Sequence, residues 1–217
     1  MPNEGFVAFE PRIPLYVSGF GPRAMALAAR VGDGLVMSVP PVPEAIERVW
    51  TRLDAAARQA GRVIDRATFL TTTLTTMCVT EPGEASDSAR VRDAVGAFAI
   101  AAMHYLYEQW KEAGRPDQPG RYPGWDEYVR MLDRVDPERL HQRIHAGHNC
   151  WVLPDEERFV TRELIEATCL VGTAPELASR LRALEAAGLS QVMLLPPLGA
   201  KEQVLRDVAE QVMPLLV

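Results

Sequence analysis

Hydrophobic and polar positions follow one another in blocks that predict short strands alternating with longer helices. Between two of these strands, apolar residues recur at helical spacing from Ile46 to Ala57. Polar, proline-bearing stretches at residues 1–13 and 111–124 predict loops. Strands that alternate with helices form a parallel sheet with right-handed connections, so the pattern predicts an α/β protein. The apolar or β-branched runs of strand length are residues 15–17, 35–39, 68–79 and 191–195.

One long segment, residues 81–171, interrupts this alternation and is predicted to be largely helical. Its apolar spacing indicates a long helix at 84–108 and shorter ones at 125–132 and 161–168. Without this segment the chain contains four strand–helix units, whereas a closed (β/α)8 barrel needs eight. The pattern leaves two architectures open, a small open parallel sheet or half of a barrel. In either case we expect a single domain, residues 1–217, with 81–171 as a helical insertion.

The first predicted strand leads into its helix through the turn Ser18-Gly19-Phe20-Gly21-Pro22-Arg23, called here the 18–23 loop. Pro22 fits the first position of a helix, where its missing N–H costs nothing. Glycines let the backbone approach a ligand, and the free N–H groups of a helix N-terminus attract anions. The loop is therefore a candidate phosphate site. The alternative is a tight turn with a solvated Arg23. Farther along, Asp33 is expected to cap a turn or to be solvated.

Charge and composition exclude several classes of partner. The chain has a net charge of −6 and a pI near 5.3, so it lacks the basic surface that binds nucleic acid or anionic membranes. No apolar stretch approaches about 20 residues and the N-terminus shows no signal pattern, so we expect a cytoplasmic protein. Cys78, Cys150 and Cys169 are far apart and are expected to be free thiols. Abundant arginine and scarce lysine suggest a bacterial, GC-rich gene.

Three histidines, His141, His145 and His148, recur with a spacing that would place them on one face if a helix beginning at Pro137 continued. Such a face could converge on a metal, but Gly147 can end the helix and no HExxH motif is present. We therefore expect no metal. These histidines are the candidate catalytic residues, as proton donors or hydrogen-bond partners of a substrate. Hydrogen-bonded packing of the insertion is the alternative role.

Aromatic residues are concentrated in the predicted insertion, where two roles are open. They could wall an apolar substrate pocket, or they could simply form the core of the insertion. The residues concerned are Tyr105, Tyr107, Trp110, Trp125 and Trp151.

Four segments taken in order resemble the luciferase-like monooxygenase family, the flavin- or F420-dependent oxidoreductases built on a (β/α)8 barrel. Residues 14–38 are similar to the family's fifth strand, cofactor loop and sixth strand. The threonine-rich strand and residues 79–90 resemble its seventh strand and the helix that follows. Residues 145–197 resemble the stretch ending in its eighth strand, and the closing helix follows. The resemblance covers nearly all of the chain and implies the C-terminal half of a (β/α)8 TIM-type barrel.

The resemblance implies a cofactor, FMN or F420, whose phosphate the 18–23 loop helps to hold. The residues that match are Ser18, Gly19, Phe20, Gly21, Pro22 and Arg23. The family's residues from its first four strands have no counterpart in this sequence. The implied function is that of a monooxygenase or hydride-transfer oxidoreductase acting on a small organic substrate.

An alternative function follows from the same resemblance. Half a barrel leaves sheet edges and an apolar face open, which a partner normally covers. The chain could therefore be a non-catalytic or truncated half-barrel that works only by association with itself or with a full-length homologue. A homo-oligomer, or a partner covering the open edge, is expected in either case.

Overall fold

A computed structural model describes residues 10–116 and 122–217. The predicted loops at 1–13 and 111–124 therefore lie partly outside the described residues. Short 3-10 turns at Glu157–Phe159 and Met213–Leu215 and a π-helical turn at Val208–Val212 accompany the main elements. The strands are β1 (Tyr16–Ser18), β2 (Gly34–Met37), β3 (Leu70–Thr75), β4 (Met77–Val79), β5 (Leu170–Gly172) and β6 (Gln191–Leu194). The helices are α1 (Pro22–Val31), α2 (Pro43–Gln59), α3 (Ala89–Glu112), α4 (Trp125–Leu132), α5 (Leu140–Ile144), α6 (Arg162–Thr168), α7 (Ala174–Ala186) and α8 (Lys201–Asp207).

Four of the strands form one parallel sheet in the order β1-β2-β3-β6. The α/β class and the four parallel strands predicted from the sequence are thus confirmed. Helices connect successive strands of the sheet, with α1 between β1 and β2 and α2 between β2 and β3. Because all four strands run in the same direction, their carboxyl ends meet at one edge, which is where α/β proteins build their binding sites.

The threonine-rich segment was predicted as a single strand at 68–79, and this prediction is wrong in one respect. The segment forms two strands, because it changes partner at Thr76. The carbonyl of Thr75 still accepts a hydrogen bond from Leu195 of the first sheet, at 2.8 Å. The carbonyl of Thr76 accepts instead from Leu170, at 3.0 Å, and starts the pairing of β4 with β5.

Strand β5 was not predicted, because it is only three residues long and no glycine or proline separates it from α6 to mark its start. It forms a second, two-stranded parallel sheet with β4. The neighbouring α7 begins with a capping box, in which the carboxylate of Glu176 accepts from the backbone N–H of Thr173 at 2.8 Å. The carboxylate of Asp33 accepts from the backbone N–H of Leu15 at 2.7 Å and pairs with Arg12, so it binds a distant segment of the chain instead of capping its own turn.

The buried threonines of β3 satisfy neighbouring backbone groups. The hydroxyl of Thr71 donates to the carbonyl of Gly188 at 2.8 Å, and that of Thr75 donates to the carbonyl of Thr168 at 2.9 Å. Thr73 donates to a backbone carbonyl as well. These bonds tie β3 to the segments on both sides of it, so threonine can replace the usual apolar residues of a buried strand at little cost.

Two hydrophobic cores stabilise the chain. One lies between the first sheet and helices α1, α2 and α7 and contains Trp50, which is 1% exposed. The other is formed by α3, α4, α5 and α6 against β4 and contains Tyr128 and Leu132, both fully buried. Close approach of the backbone is required at Gly34, where a Cβ would lie 2.6 Å from the carbonyl oxygen of Leu70.

Two further expectations from composition can be compared with the structure. The three cysteines are all unpaired, as expected, and Cys169 is buried, which raises the pKa of its thiol to about 12. Among the described residues, no helix combines the length and apolar character needed to cross a bilayer.

Candidate functional site

A cavity of about 190 Å³ lies beside the carboxyl ends of the first sheet. Ser38, Val39 and Pro40 follow β2 and line it, Leu195 follows β6, and Leu74 comes from β3. The opposite wall is helix α3. The remaining lining residues are Phe20, Phe98, Ala101, Ala102, Tyr105, Leu106, Gln109, Tyr122, Asn149 and Thr168. Apolar side chains predominate, so the cavity suits a small, largely apolar molecule.

The 18–23 loop lies next to this cavity and has the geometry of a helix-terminal anion site. Gly21 is the residue before α1, with φ −86° and ψ 164°, and Pro22 is the first helical residue, as predicted. The first helical hydrogen bond runs from the N–H of Met25 to the carbonyl of Gly21, so the N–H groups before Met25 have no intrahelical acceptor. The first turn contains no acidic residue.

Each remaining residue of the loop has a definite place. Ser18 ends β1, and the N–H of Gly19 donates to the carbonyl of Val36 at 3.0 Å. A Cβ on Gly19 would lie 2.2 Å from that of Ala24, so this position requires glycine. A Cβ on Gly21 would meet no atom within 4 Å, which shows open space beside the helix terminus.

Arg23 and Phe20 are the two side chains of the loop that indicate its role. Arg23 is exposed and makes no hydrogen bond or ion pair within residues 10–116 and 122–217. Phe20 lines the cavity and contacts the ring of Tyr105 edge-on, with ring centroids 6.1 Å apart. Phe20 therefore connects the loop with the cavity.

The three candidate histidines do not share a helical face, because α5 ends at Ile144. The rings of His145 and His148 lie 5.3 Å apart. His145 faces the carboxylate of Glu108 at 3.2 Å on the surface. His141 is exposed, and its side chain has no hydrogen-bond partner in the described parts of the chain.

His148 belongs to a chain of polar side chains that ends at the cavity. Its Nε2 lies 3.2 Å from the hydroxyl of Tyr105, and its Nδ1 lies 3.2 Å from Nδ1 of His104. Nε2 of His104 lies 3.3 Å from Oε1 of Glu156. His104 and Glu156 are each 1% exposed. We call these four residues, Tyr105, His148, His104 and Glu156, the polar chain.

The buried end of the polar chain is held by two further donors. The guanidinium of Arg143 donates to Oε1 of Glu156 at 3.0 Å, and the hydroxyl of Tyr128 lies 3.4 Å from the same oxygen. Arg143 also donates to Asp155 at 2.8 Å. A buried carboxylate is stable only when it is paired and hydrogen-bonded, which Arg143 and Tyr128 provide.

Burial and neighbouring charges determine the protonation states of His148 and Tyr105, at the exposed end of the polar chain. Burial lowers the pKa of His148, and the neighbouring His104 and His145 lower it further. Burial, followed by the negative charge of Glu108, raises the pKa of Tyr105. At neutral pH, His148 is therefore a neutral imidazole and Tyr105 a neutral hydroxyl.

The aromatic residues divide between the two roles that the sequence left open. Tyr105 lines the cavity, whereas Tyr107 and Trp125 are buried in the core of the insertion, and Trp110 packs against it. Trp151 is 54% exposed. Across residues 10–116 and 122–217, no group of three or more histidine, cysteine or acidic side chains has the arrangement of a metal site.

Sequence reasoning missed His104, Glu156, Arg143 and Asn149. His104 lies within a helix among apolar residues, and Glu156 follows an irregular segment, so neither carries a periodic signal. Asn149 has a positive φ of 59° and lines the cavity. Its Oδ1 is buried with no hydrogen-bond partner among the described residues.

Comparison with known proteins places this geometry in a family. The family model described as luciferase-like monooxygenase matches residues 2–191. The 5,10-methylenetetrahydromethanopterin reductase of Archaeoglobus fulgidus is 27% identical over 220 residues, which cover 99% of this chain and 58% of that protein.

Two solved structures share the fold. The coenzyme F420-dependent tetrahydromethanopterin reductase of Methanopyrus kandleri is similar with a TM-score of 0.54 and 18% identity, over 94% of this chain and 51% of that one. An F420-dependent secondary alcohol dehydrogenase, solved with an F420-acetone adduct, has a TM-score of 0.52 and 19% identity, over 96% and 50% of the two chains.

The chain thus spans about half the length of these relatives, and the expected partial (β/α)8 barrel is confirmed. The family match also confirms the resemblance drawn from the sequence. By its match over most of its length, the chain belongs to the luciferase-like monooxygenase family.

Proposed function

We propose that this chain forms part of a flavin- or F420-dependent oxidoreductase, in which the 18–23 loop holds the cofactor phosphate and the neighbouring cavity holds a small organic substrate. The observation that carries the proposal is the position of Phe20, which belongs to the loop and also lines the cavity. A cofactor held at the loop would therefore lie beside a substrate in the cavity. Family membership and the F420-dependent relatives support the same function.

The residues of the loop fit a phosphate group. Free N–H groups and the positive end of the α1 dipole favour an anion, and the first turn offers no carboxylate to repel it. The open space beside Gly21 gives the anion room, and the exposed guanidinium of Arg23 adds a charged donor. Ser18 ends β1 and contributes a hydroxyl to the same loop.

When bound, FMN or F420 supplies hydride chemistry that no side chain can perform. The residues of this chain contribute binding, orientation and exclusion of water. The apolar lining, from Val39 and Leu74 to Phe98 and Leu195, keeps the substrate side of the site dry.

Titration of the purified chain with FMN and with F420, followed by fluorescence, tests the proposal. The Arg23→Ala variant is expected to bind the cofactor about tenfold more weakly, because it loses a charge-assisted hydrogen bond to phosphate. Arg30→Ala is the matched control, since Arg30 is exposed in the last turn of the same helix. Riboflavin, which lacks the phosphate, should bind the wild type and Arg23→Ala equally.

Two results would count against the proposal in different ways. Failure of the wild-type chain to bind either cofactor would contradict the proposed function for this chain. Equal affinity of the wild type and the Arg23→Ala variant for a cofactor that does bind would contradict the assignment of the 18–23 loop alone.

A second function, association of the chain with a second copy or a homologue as a non-catalytic half-barrel, is favoured by the open edges of the sheet. Among the described residues, β1 and β6 each pair with one neighbour only. Leu15, Tyr16 and Met193 at these edges are between 44% and 49% exposed. Unpaired edges with exposed apolar side chains are normally covered.

Sedimentation equilibrium of the purified chain tests this second function. A dimer is expected, and its dissociation by Tyr16→Lys would place the contact at β1, because a charged side chain blocks pairing at an edge strand. Val63→Lys is the control, since Val63 is an exposed residue outside the sheet. A monomer at all concentrations would contradict self-association.

A further inference from the structure

The hydrogen atoms of the polar chain can be assigned from its buried end. Arginine has donors only, so Oε1 of Glu156 accepts from the guanidinium of Arg143 and is not itself a protonated oxygen. Nε2 of His104 faces the same oxygen at 3.3 Å and must therefore carry the hydrogen that is donated to it. A neutral imidazole with a hydrogen on Nε2 has a free lone pair on Nδ1.

The tautomer of His104 determines the tautomer of His148. Nδ1 of His104 is an acceptor, so Nδ1 of His148, 3.2 Å away, carries the hydrogen that bridges the two rings. Nε2 of His148 is consequently a lone pair, and it faces the hydroxyl of Tyr105 at 3.2 Å. Tyr105 therefore donates its hydrogen to His148, and its oxygen can still accept a hydrogen bond from a ligand in the cavity that the residue lines.

A second residue that lines the cavity carries an acceptor without a donor. Oδ1 of Asn149 is buried and has no hydrogen-bond partner among the described residues. An unsatisfied buried oxygen is destabilising, so a ligand that supplies a donor to it gains affinity. Tyr105 and Asn149 thus both line a cavity whose lining is otherwise mostly apolar, and each carries an oxygen that can accept a further hydrogen bond.

We propose that the cavity binds a small, largely apolar alcohol, and that Tyr105 is the base that takes the hydroxyl proton of this alcohol. Tyr105 passes its own hydrogen to His148, which His104 and Glu156 hold in position. Tyr105 is the catalytic residue, and the other three are positioning residues. The cavity has a volume of about 190 Å³, and a cavity of roughly 150 Å³ holds one benzene molecule. The alcohol is therefore about the size of one six-membered ring.

The proton and electron balance rests on the proposed function. The O–H bond of the alcohol breaks and its proton passes to the oxygen of Tyr105, as the hydrogen of Tyr105 passes to Nε2 of His148. The imidazolium that forms is stabilised through His104 by the carboxylate of Glu156. The carbon of the alcohol loses a hydride to the oxidised flavin or deazaflavin, and the product is a carbonyl compound.

Long-range ¹⁵N–¹H NMR of the histidine-labelled chain, without cofactor, tests the hydrogen assignment. His148 is expected as the Nδ1–H tautomer and His104 as the Nε2–H tautomer, with His148→Gln and His104→Gln used to assign the signals. The tautomers test the hydrogen assignment itself, and the ligand comparison below tests the role of Tyr105. An Nε2–H tautomer of His148 would overturn the proposal, because Tyr105 would then have a hydrogen to offer the ligand instead of a lone pair.

Binding of cyclohexanol and cyclohexanone to the same chain tests the ligand class. The two probes are alike in size, but only the alcohol donates a hydrogen bond. The wild type is expected to bind cyclohexanol at least about fivefold more tightly, the equivalent of one hydrogen bond. Tyr105→Phe and Asn149→Gly should each reduce this ratio, and glycine accepts the positive φ of position 149.

Tyr107→Phe is the matched control, because its hydroxyl lies on the same helix but bonds to Asp133 outside the cavity. No detectable cyclohexanol binding, or an equal affinity for the ketone, would overturn the assignment of an alcohol. Both measurements omit the cofactor, so a chain that fails to bind FMN or F420 can still show the tautomers and the preference for alcohol.

Discussion

Replacing Trp50 with alanine is expected to lower the free energy of unfolding by about 4 kcal/mol. The side chain is 1% exposed and fills the core between α2 and the sheet. It packs edge-on against Phe69, with ring centroids 6.0 Å apart, and its Nε1 donates to the carbonyl of Gly188 at 2.9 Å. The variant loses this hydrogen bond and leaves a cavity that the rigid sheet cannot fill.

Two comparisons separate the causes of this effect. Trp50→Phe keeps an aromatic ring and loses the N–H donor, so it should cost less than the alanine variant. The carbonyl of Gly188 still accepts from Thr71, and it is not orphaned. Trp151→Ala is the control, because Trp151 is 54% exposed, and it should change stability by no more than about 0.5 kcal/mol. Urea unfolding followed by circular dichroism measures all three, and a loss below about 1 kcal/mol for Trp50→Ala would contradict the role of the core.

Replacing Arg143 with methionine is expected to destabilise the chain by roughly 3 to 5 kcal/mol, because it leaves the carboxylate of Glu156 buried without a counter-charge. Glu156 is 1% exposed, and Arg143 lies 3.0 Å from its Oε1. The remaining neighbours of this carboxylate, Tyr128 and His104, do not carry the permanent charge of a guanidinium. Unfolding in urea measures the loss.

A double-mutant cycle tests directly whether Arg143 and Glu156 are coupled. In the Arg143→Met/Glu156→Gln variant no buried charge is left unpaired, since the carboxylate of Asp155, which also loses Arg143, is 53% exposed to water. Part of the stability lost in Arg143→Met should therefore return. Arg158→Met is the matched control, since Arg158 pairs with Glu127 at the surface, where both side chains are about half exposed. Such a pair contributes about 0 to 1 kcal/mol. Additive effects of Arg143→Met and Glu156→Gln would show that the two side chains are not coupled.

The sequence was sufficient to predict those features that local patterns determine. The alternation of apolar runs and helices predicted the parallel sheet, and Pro22 marked the start of α1 at its first residue. Thr173 and Glu176, three residues apart, have the sequence spacing of a capping box, which marks the start of α7. In each case the determining contacts lie within a few residues, so a short window of sequence contains them.

The features that were missed depend on contacts between distant residues. His104 and Glu156 are 52 positions apart and meet only after α3 and the segment after α5 have folded against each other. Strand β5 forms because Leu170 finds a carbonyl at Thr76, far earlier in the chain. The periodicity of a sequence does not report such pairings. His148 was therefore among the candidate residues, whereas its buried partner His104 was not.

The two hydrophobic cores have a consequence for how this protein can diversify. The 18–23 loop is supported by the core around Trp50, whereas Tyr105, His148 and Asn149 are carried by the insertion and its own core. Substitutions in the helices between Ala89 and Thr168 therefore leave the core that supports the loop intact. The wall of the cavity and the 18–23 loop are thus able to vary as separate modules.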